Sequence, residues 1–177
     1  EWQTTFSEKP EWAIQSVVNC NSLVLEEIRN AVKNRNIIIS IYGLTGSGKS
    51  LSAISLAEVI SLISKKPFDA GNVCFTMEGK MGILNRIPRA EKHDTLIMDE
   101  QIAAWGQGSG RQSSELKNIE ETLRKKQINF IFNAPELRTH LHHLILQTFA
   151  MDANSNIAKL LVFTPTRKLL GYLTLRR

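Results

Sequence analysis

The sequence predicts a three-layer α/β domain built on a mainly parallel sheet, and three observations predict it. Apolar runs of strand length alternate with longer stretches of helical period, the pattern of strands joined by crossover helices. One run, Thr95-Leu96-Ile97-Met98, is continuous rather than alternating, which fits a central parallel strand covered on both faces. Between another such run and the helical stretch after it stands Gly43-Leu44-Thr45-Gly46-Ser47-Gly48-Lys49-Ser50. It reads G-x-x-x-x-G-K-S without a mismatch and in a strand-to-helix setting, as a phosphate-binding loop requires.

In chain order, residues 1–18 carry Trp2, Phe6, Trp12 and Pro10 with no clean period. They are expected to form an arm that packs on the body or on a neighbouring subunit. A helix from Ser22 to Lys33 should follow, with Leu23, Leu25, Ile28 and Val32 on its apolar face. The expected division is an arm and helix over residues 1–35, then a core over 36–177. Ile37 to Tyr42 is the first strand, and Ser50 to Ile63 a helix whose narrow polar stripe, Ser52, Ser55, Glu58 and Ser61, should alone meet water. Asn72 to Met77 reads as the second strand, Lys80 to Asn85 as a short helix, and Thr95 to Met98 as the third strand. After a glycine- and serine-rich loop over 105–114, a basic helix ends at Leu123-Arg124-Lys125-Lys126-Gln127. The fourth strand is Ile128 to Phe132, followed by Asn133. Residues 136–149 read as helical, Lys159 to Phe163 as the fifth strand, and Lys168 to Leu175 as a strand pairing back on it across Thr164-Pro165-Thr166-Arg167.

Composition narrows the class. With 177 residues, 42% hydrophobic and 22% charged, the chain can bury a sizeable core, which excludes a disordered polyelectrolyte. Every apolar segment is interrupted within about ten residues, so no transmembrane segment is expected. Nothing near Glu1 has a signal-peptide pattern, and a cytoplasmic, or intracellular viral or plasmid-encoded, setting is expected. Cys20 and Cys74 lack metal-ligand spacing and read as buried thiols, with a disulfide left open. A net charge of +5 favours a nucleic-acid partner.

The residue types of the loop follow from its chemistry. Glycines at 43, 46 and 48 let successive backbone N–H groups turn in on an anion. Lys49 can reach terminal phosphates, the Ser50 hydroxyl can ligate Mg²⁺, and the helix running on through Leu51 presents its positive end. The nucleotide-binding set is therefore Gly43, Leu44, Thr45, Gly46, Ser47, Gly48, Lys49, Ser50 and Leu51. Asp99 and Glu100 close a buried strand. Asp99 can hold Mg²⁺ through water, and Glu100 can polarise an attacking water as general base.

The loop, the strand closing on Asp99-Glu100 and the polar Asn133 ending the next strand resemble the P-loop ATPases with an additional catalytic glutamate, which include the RecA-like, AAA+ and FtsK-HerA branches. The resemblance covers residues 36–164. It implies a sheet of order 5-1-4-3-2, with the Asn133 strand between the loop strand and the Asp99 strand; residues 159–175 add a C-terminal antiparallel hairpin to it. It also implies Asn133 as sensor of the γ-phosphate, and ATP with Mg²⁺ as substrate and cofactor. Residues 95–135 are similar to small archaeal, viral and plasmid ATPases of the FtsK-HerA and Zot-like kind, mostly DNA-translocating or genome-packaging motors. That similarity implies DNA as partner, a homo-oligomeric ring, and an arginine finger reaching a neighbour's site, with Arg111, Arg124 and Arg138 as candidates. The catalytic set is then Lys49, Glu100 and Asn133.

Alternatives stay open. A small P-loop kinase would need an arginine-rich lid, whereas the segment after Glu100 has one arginine. A nucleotide-dependent assembly or loader switch would share the whole site. Gln101 has no assigned role. Trp105 and Arg111 suit either a loop facing a central channel or plain surface, and the basic helix end at 124–126 is most simply a solvated helix terminus. His140, His142 and His143 lack a fourth ligand at zinc spacing.

Overall fold

Alternating side chains in one strand set the layers. Ile39 and Ile41 face one apolar cluster and Ile38 the other, so both faces of that strand must be covered. The computed structural model of the chain describes residues 17–79, 82–99, 110–134, 143–152, 154 and 157–176. Its elements are β1 (Val17–Cys20), α1 (Ser22–Asn34), β2 (Ile38–Tyr42), α2 (Lys49–Ser64), β3 (Val73–Cys74), α3 (Ile83–Arg86), β4 (Thr95–Met98), α4 (Gly110–Lys126), β5 (Asn129–Ala134), β6 (Leu144–Asp152), β7 (Ile157–Phe163) and β8 (Leu169–Arg176). The described residues thus form an α/β structure with a mixed sheet of eight strands in the order β1-β8-β7-β6-β2-β5-β4-β3. Strands β3, β4, β5, β2 and β6 run parallel, and β7, β8 and β1 add antiparallel pairs.

α1 and α2 cover one face, burying Val24, Ile28, Leu56 and Ile60 against Ile97, Ile131, Leu146 and Leu160. α3 and α4 cover the other over β2, β4 and β5, through Ile83, Ile119 and Leu123 against Leu96, Phe130 and Phe132. Asn21 caps α1, its side chain accepting from Leu23 N at 2.9 Å, which satisfies one of the orphan donors of the first turn. No helix among the described residues is long and apolar enough to cross a membrane.

Several expectations need correction. The expected order, with Lys159–Phe163 beside the loop strand, is not the observed one: Leu144–Asp152 occupies that place and Lys159–Phe163 lies one strand further out. The expected helix over 136–149 is, over its described part, the strand β6. There Leu144, Leu146 and Thr148 are buried on the α1/α2 side, while Ile145, Gln147 and Phe149 alternate with them, a period of two. The second strand keeps only Val73–Cys74 of the expected 72–77. Residues 110–114, read as loop, form the first turn of α4. The expected arm includes a strand, Val17–Cys20, paired antiparallel with β8; residues 1–16 lie outside the described residues.

Two helix faces also differ from expectation. α1 buries Ile28 and Val32 as expected, with Val24 and Ala31 beside them, whereas Leu25 is half-buried and Leu23 is 58% exposed. In α2 the serines point inward: Ser52, Ser55 and Ser61 are buried, because α1, β4, β5 and β8 all pack on this helix. Neither cysteine is in a disulfide; Cys20, partly buried, and Cys74, buried, are set on the outermost strands β1 and β3 at opposite edges of the sheet. Burial raises the Cys74 thiol above its ordinary pKa, partly offset by Arg86.

Candidate functional site

Register brings the site together. Ile41 of β2 pairs with Asn133 of β5, and Phe132 of β5 with Met98 of β4, so Asp99 lies level with Asn133 at the C-terminal ends of the strands. Both share the parity of Ile97 and Ile131, which face α1 and α2. They therefore point toward the start of α2, where Ser50 stands. Ser50 Oγ donates to Asp99 Oδ1 at 2.9 Å, and Asn133 Nδ2 donates to the same oxygen at 2.7 Å. Asp99 N in turn donates to Cys74 O at 2.8 Å, which fixes the carboxylate's backbone to β3. Asn133 is 1% exposed, and its Oδ1 has no partner among the described residues. A buried acceptor left open costs free energy unless a donor arrives.

The loop between β2 and α2 uses backbone that only glycine adopts without strain. Gly43, Gly46 and Gly48 have φ of 150°, 78° and 85°. Gly48 takes the N-cap position of α2 without a capping side chain, and the first turn holds no acidic residue. Its orphan N–H groups and the positive end of the helix dipole thus meet no acidic side chain from the helix's own first turn. Lys49 Nζ donates to Gly43 O and Leu44 O, both at 2.9 Å, folding the ammonium back over the loop. Leu44 at the crown is 83% exposed, with Thr45 and Gly46 exposed beside it; Leu51 is half-buried.

A strand that sequence reasoning missed holds the loop from the side. Thr148 of β6 makes a hydrogen bond with the Ser47 hydroxyl and donates to Tyr42 O at 3.3 Å. Next to it Tyr42 Oη donates to Gln147 Oε1 at 2.9 Å. Burial raises the Tyr42 hydroxyl above its ordinary pKa, and the Arg167 charge lowers it in part. The continuous apolar run Leu144-Ile145-Leu146, of the kind that a parallel strand covered on both faces carries, was the signal that could have found this strand.

The remaining candidates are placed as follows. Glu100, Gln101, Trp105 and Arg138 lie outside the described residues, as do His140 and His142; Arg111 is in the first turn of α4, and its side chain is not described. Arg124 is exposed near the end of α4, which runs back to the N-terminal end of β5, opposite the loop. Lys125 pairs with Glu121 at 2.8 Å. Lys126 Nζ donates to the carbonyls of Ile87, Pro88 and Ala90 at 3.1, 2.7 and 3.3 Å, so this basic cluster is largely used within the fold. His143 Nδ1 accepts from Ile38 N at 2.9 Å. No group of three or more His, Cys, Asp or Glu side chains able to hold a metal occurs among the described residues.

A hydrated Mg²⁺ needs fewer protein ligands than such a group provides, because it keeps several waters and takes phosphate oxygens. The adjacent Ser50 and Asp99 oxygens fit it. No protein-family model matches this chain, and a search of the curated proteins returns no match.

Proposed function

We propose that the chain is a Mg²⁺-dependent P-loop ATPase, working as a ring-forming motor on DNA. One observation carries the ATPase reading. Ser50 at the start of α2 and Asn133 at the end of β5 both donate to Asp99 Oδ1, directly beside a glycine loop whose following helix has no acidic residue in its first turn. Strand β5 between β2 and β4 is the arrangement that the resemblance implies, and it supports the same reading.

In this reading the loop amides from Gly43 to Ser50 cradle the phosphates. Lys49 exchanges the Gly43 and Leu44 carbonyls for phosphate oxygens, which keeps its charge inside the loop in both states. Ser50 and Asp99 would hold Mg²⁺, which when bound neutralises charge on the β- and γ-phosphates. Glu100, the next residue after Asp99, takes a proton from the attacking water. With Nδ2 committed to Asp99, Asn133 offers that water its open Oδ1 as an acceptor, which orients the nucleophile. An arginine from an adjacent subunit stabilises the transferring phosphoryl group, with Arg111, Arg124 and Arg138 as the candidates. The net charge of +5 and the similarity of residues 95–135 to translocating motors support DNA as the polymer.

The test is ATP hydrolysis with and without double-stranded DNA across a range of protein concentrations. Turnover should rise with DNA and more than linearly with protein, and Glu100→Gln should lower it by about 10²–10⁴-fold. Hydrolysis flat in both variables, with small phosphate acceptors consumed instead, would replace the motor with a kinase.

A further inference from the structure

The phosphate loop of this chain is held from outside itself. The contact comes from β6, a strand that contributes no residue to the G-x-x-x-x-G-K-S pattern. Thr148 is 4% exposed, and its hydroxyl touches the loop at two points: it donates to the carbonyl of Tyr42, the residue before the loop, and it bonds the hydroxyl of Ser47, the loop's fifth residue. A hydroxyl has one proton and two lone pairs. With its proton directed at Tyr42 O, Thr148 accepts from Ser47, so both bonds can exist at once.

Gly43 shows how close this support stands. A Cβ added there would lie 2.1 Å from Thr148 Oγ1 and 3.0 Å from Thr148 O, so the strand itself excludes any side chain at the loop's first position. Between the two anchored points runs the exposed crown Leu44-Thr45-Gly46. β6 is in turn fixed on both sides: it pairs with β2 through Gln147 and with β7 through Thr148 opposite Leu160, just before a register shift.

We infer that Thr148 is a positioning residue for the phosphates of the bound nucleotide, setting the loop's shape before the ligand arrives. This rests on the nucleotide-binding reading above. A loop already in shape loses less conformational freedom on binding. The benefit falls equally on ground state and transition state, since the cradle holds the phosphates in both. Loss of the Thr148 hydroxyl should therefore weaken binding with little effect on the chemical step.

The experiment is calorimetric titration with MgADP, steady-state ATP hydrolysis, and thermal unfolding without nucleotide. It uses the full chain and its Thr148→Val, Thr148→Ser, Ser47→Ala and Ser47→Ala/Thr148→Val variants. Thr148→Val keeps the shape and removes the hydroxyl. It should raise Kd and KM together by about tenfold, the scale of one buried hydrogen bond, with kcat within about twofold. Thr148→Ser should bind like the parent. Ser47→Ala should reproduce the weakening, and the double variant should bind no worse than the weaker single one, because both remove the same contact.

Parent-like binding by Thr148→Val, no rescue by Thr148→Ser, or additive losses in the double variant would each overturn the role of Thr148 while leaving the nucleotide site intact. Failure of the parent chain to bind MgADP would overturn the nucleotide reading and this inference together. If Thr148→Val unfolds at a lower temperature, the comparison of Ser47→Ala with the double variant still decides the matter, since a contact shared by the two hydroxyls leaves nothing further to lose.

Discussion

Asp99 Oδ1 accepts from two donors that do different work. In the proposed site Ser50 would serve the cation, while Asn133 holds the carboxylate with Nδ2 and presents an Oδ1 unpartnered among the described residues. Replacing Asn133 with alanine should therefore lower kcat for ATP by about 10²-fold, the scale of one positioned polar group, while KM changes little. An unchanged kcat in steady-state assays would remove Asn133 from the chemical step. Lys49, Ser50, Asp99 and Asn133 were legible in the sequence because each stands at the boundary of an apolar run or in a fixed motif. Thr148 was not. Its partner Ser47 is 101 residues away in sequence, and only strand pairing brings the two hydroxyls together.

At the scale of elements, polar residues misled where burial on several sides overrode the pattern. α2 was expected to turn its serines to water, but the sheet, α1 and β8 surround it, and Ser52 is 0% exposed with its Oγ unpartnered among the described residues. Ser52→Ala should accordingly be neutral or stabilising by about 1 kcal/mol, because it deletes an unsatisfied buried group rather than a bond. Equilibrium urea unfolding with an unchanged m-value would show it, and a clear loss of stability would mean that the hydroxyl has a partner in solution. Ser55, whose Oγ donates to Arg176 O at 3.3 Å, should not share this behaviour. α1 and β6 teach the same lesson from opposite sides. In α1 the helix and its buried Ile28 and Val32 were legible, but in the first turn Val24 is buried in place of Leu23, since both are apolar and only packing chooses between them. In β6 the element itself was misread, because the run from His143 to Phe149 is apolar enough to suit either period.

At the scale of the molecule, the α/β class and helices on both faces followed from alternating elements and from the continuous run Thr95–Met98. The strand order did not, because composition does not say which strand a crossover reaches. Global stability also depends on a connection outside the site. His93, in the turn before β4, donates its backbone N–H to Gln127 O at 2.9 Å, and its Nδ1 is buried without a partner among the described residues. Burial, and then the charges of Lys92 and Lys66, hold its pKa below the ordinary 6.5. Near and below pH 6.5 the unfolded chain takes up a proton that the folded chain resists, so this contribution to stability is full above that pH and declines as pH falls. Thermal midpoints at pH 7.5 and 5.5 should show the decline, and His93→Asn, which tolerates the local φ of 68°, should reduce it; an equal slope in the variant would assign it to other groups. The carbonyl-bound Lys126 has a different kind of consequence. A polyanion gains affinity by shedding condensed counterions at each lysine or arginine that it meets, and an ammonium whose three protons already point at Ile87, Pro88 and Ala90 releases none. Together with Lys125 on Glu121 and Lys66 on Glu91, it counts in the formal charge of the chain but hardly in the salt dependence with which that chain would hold a nucleic acid.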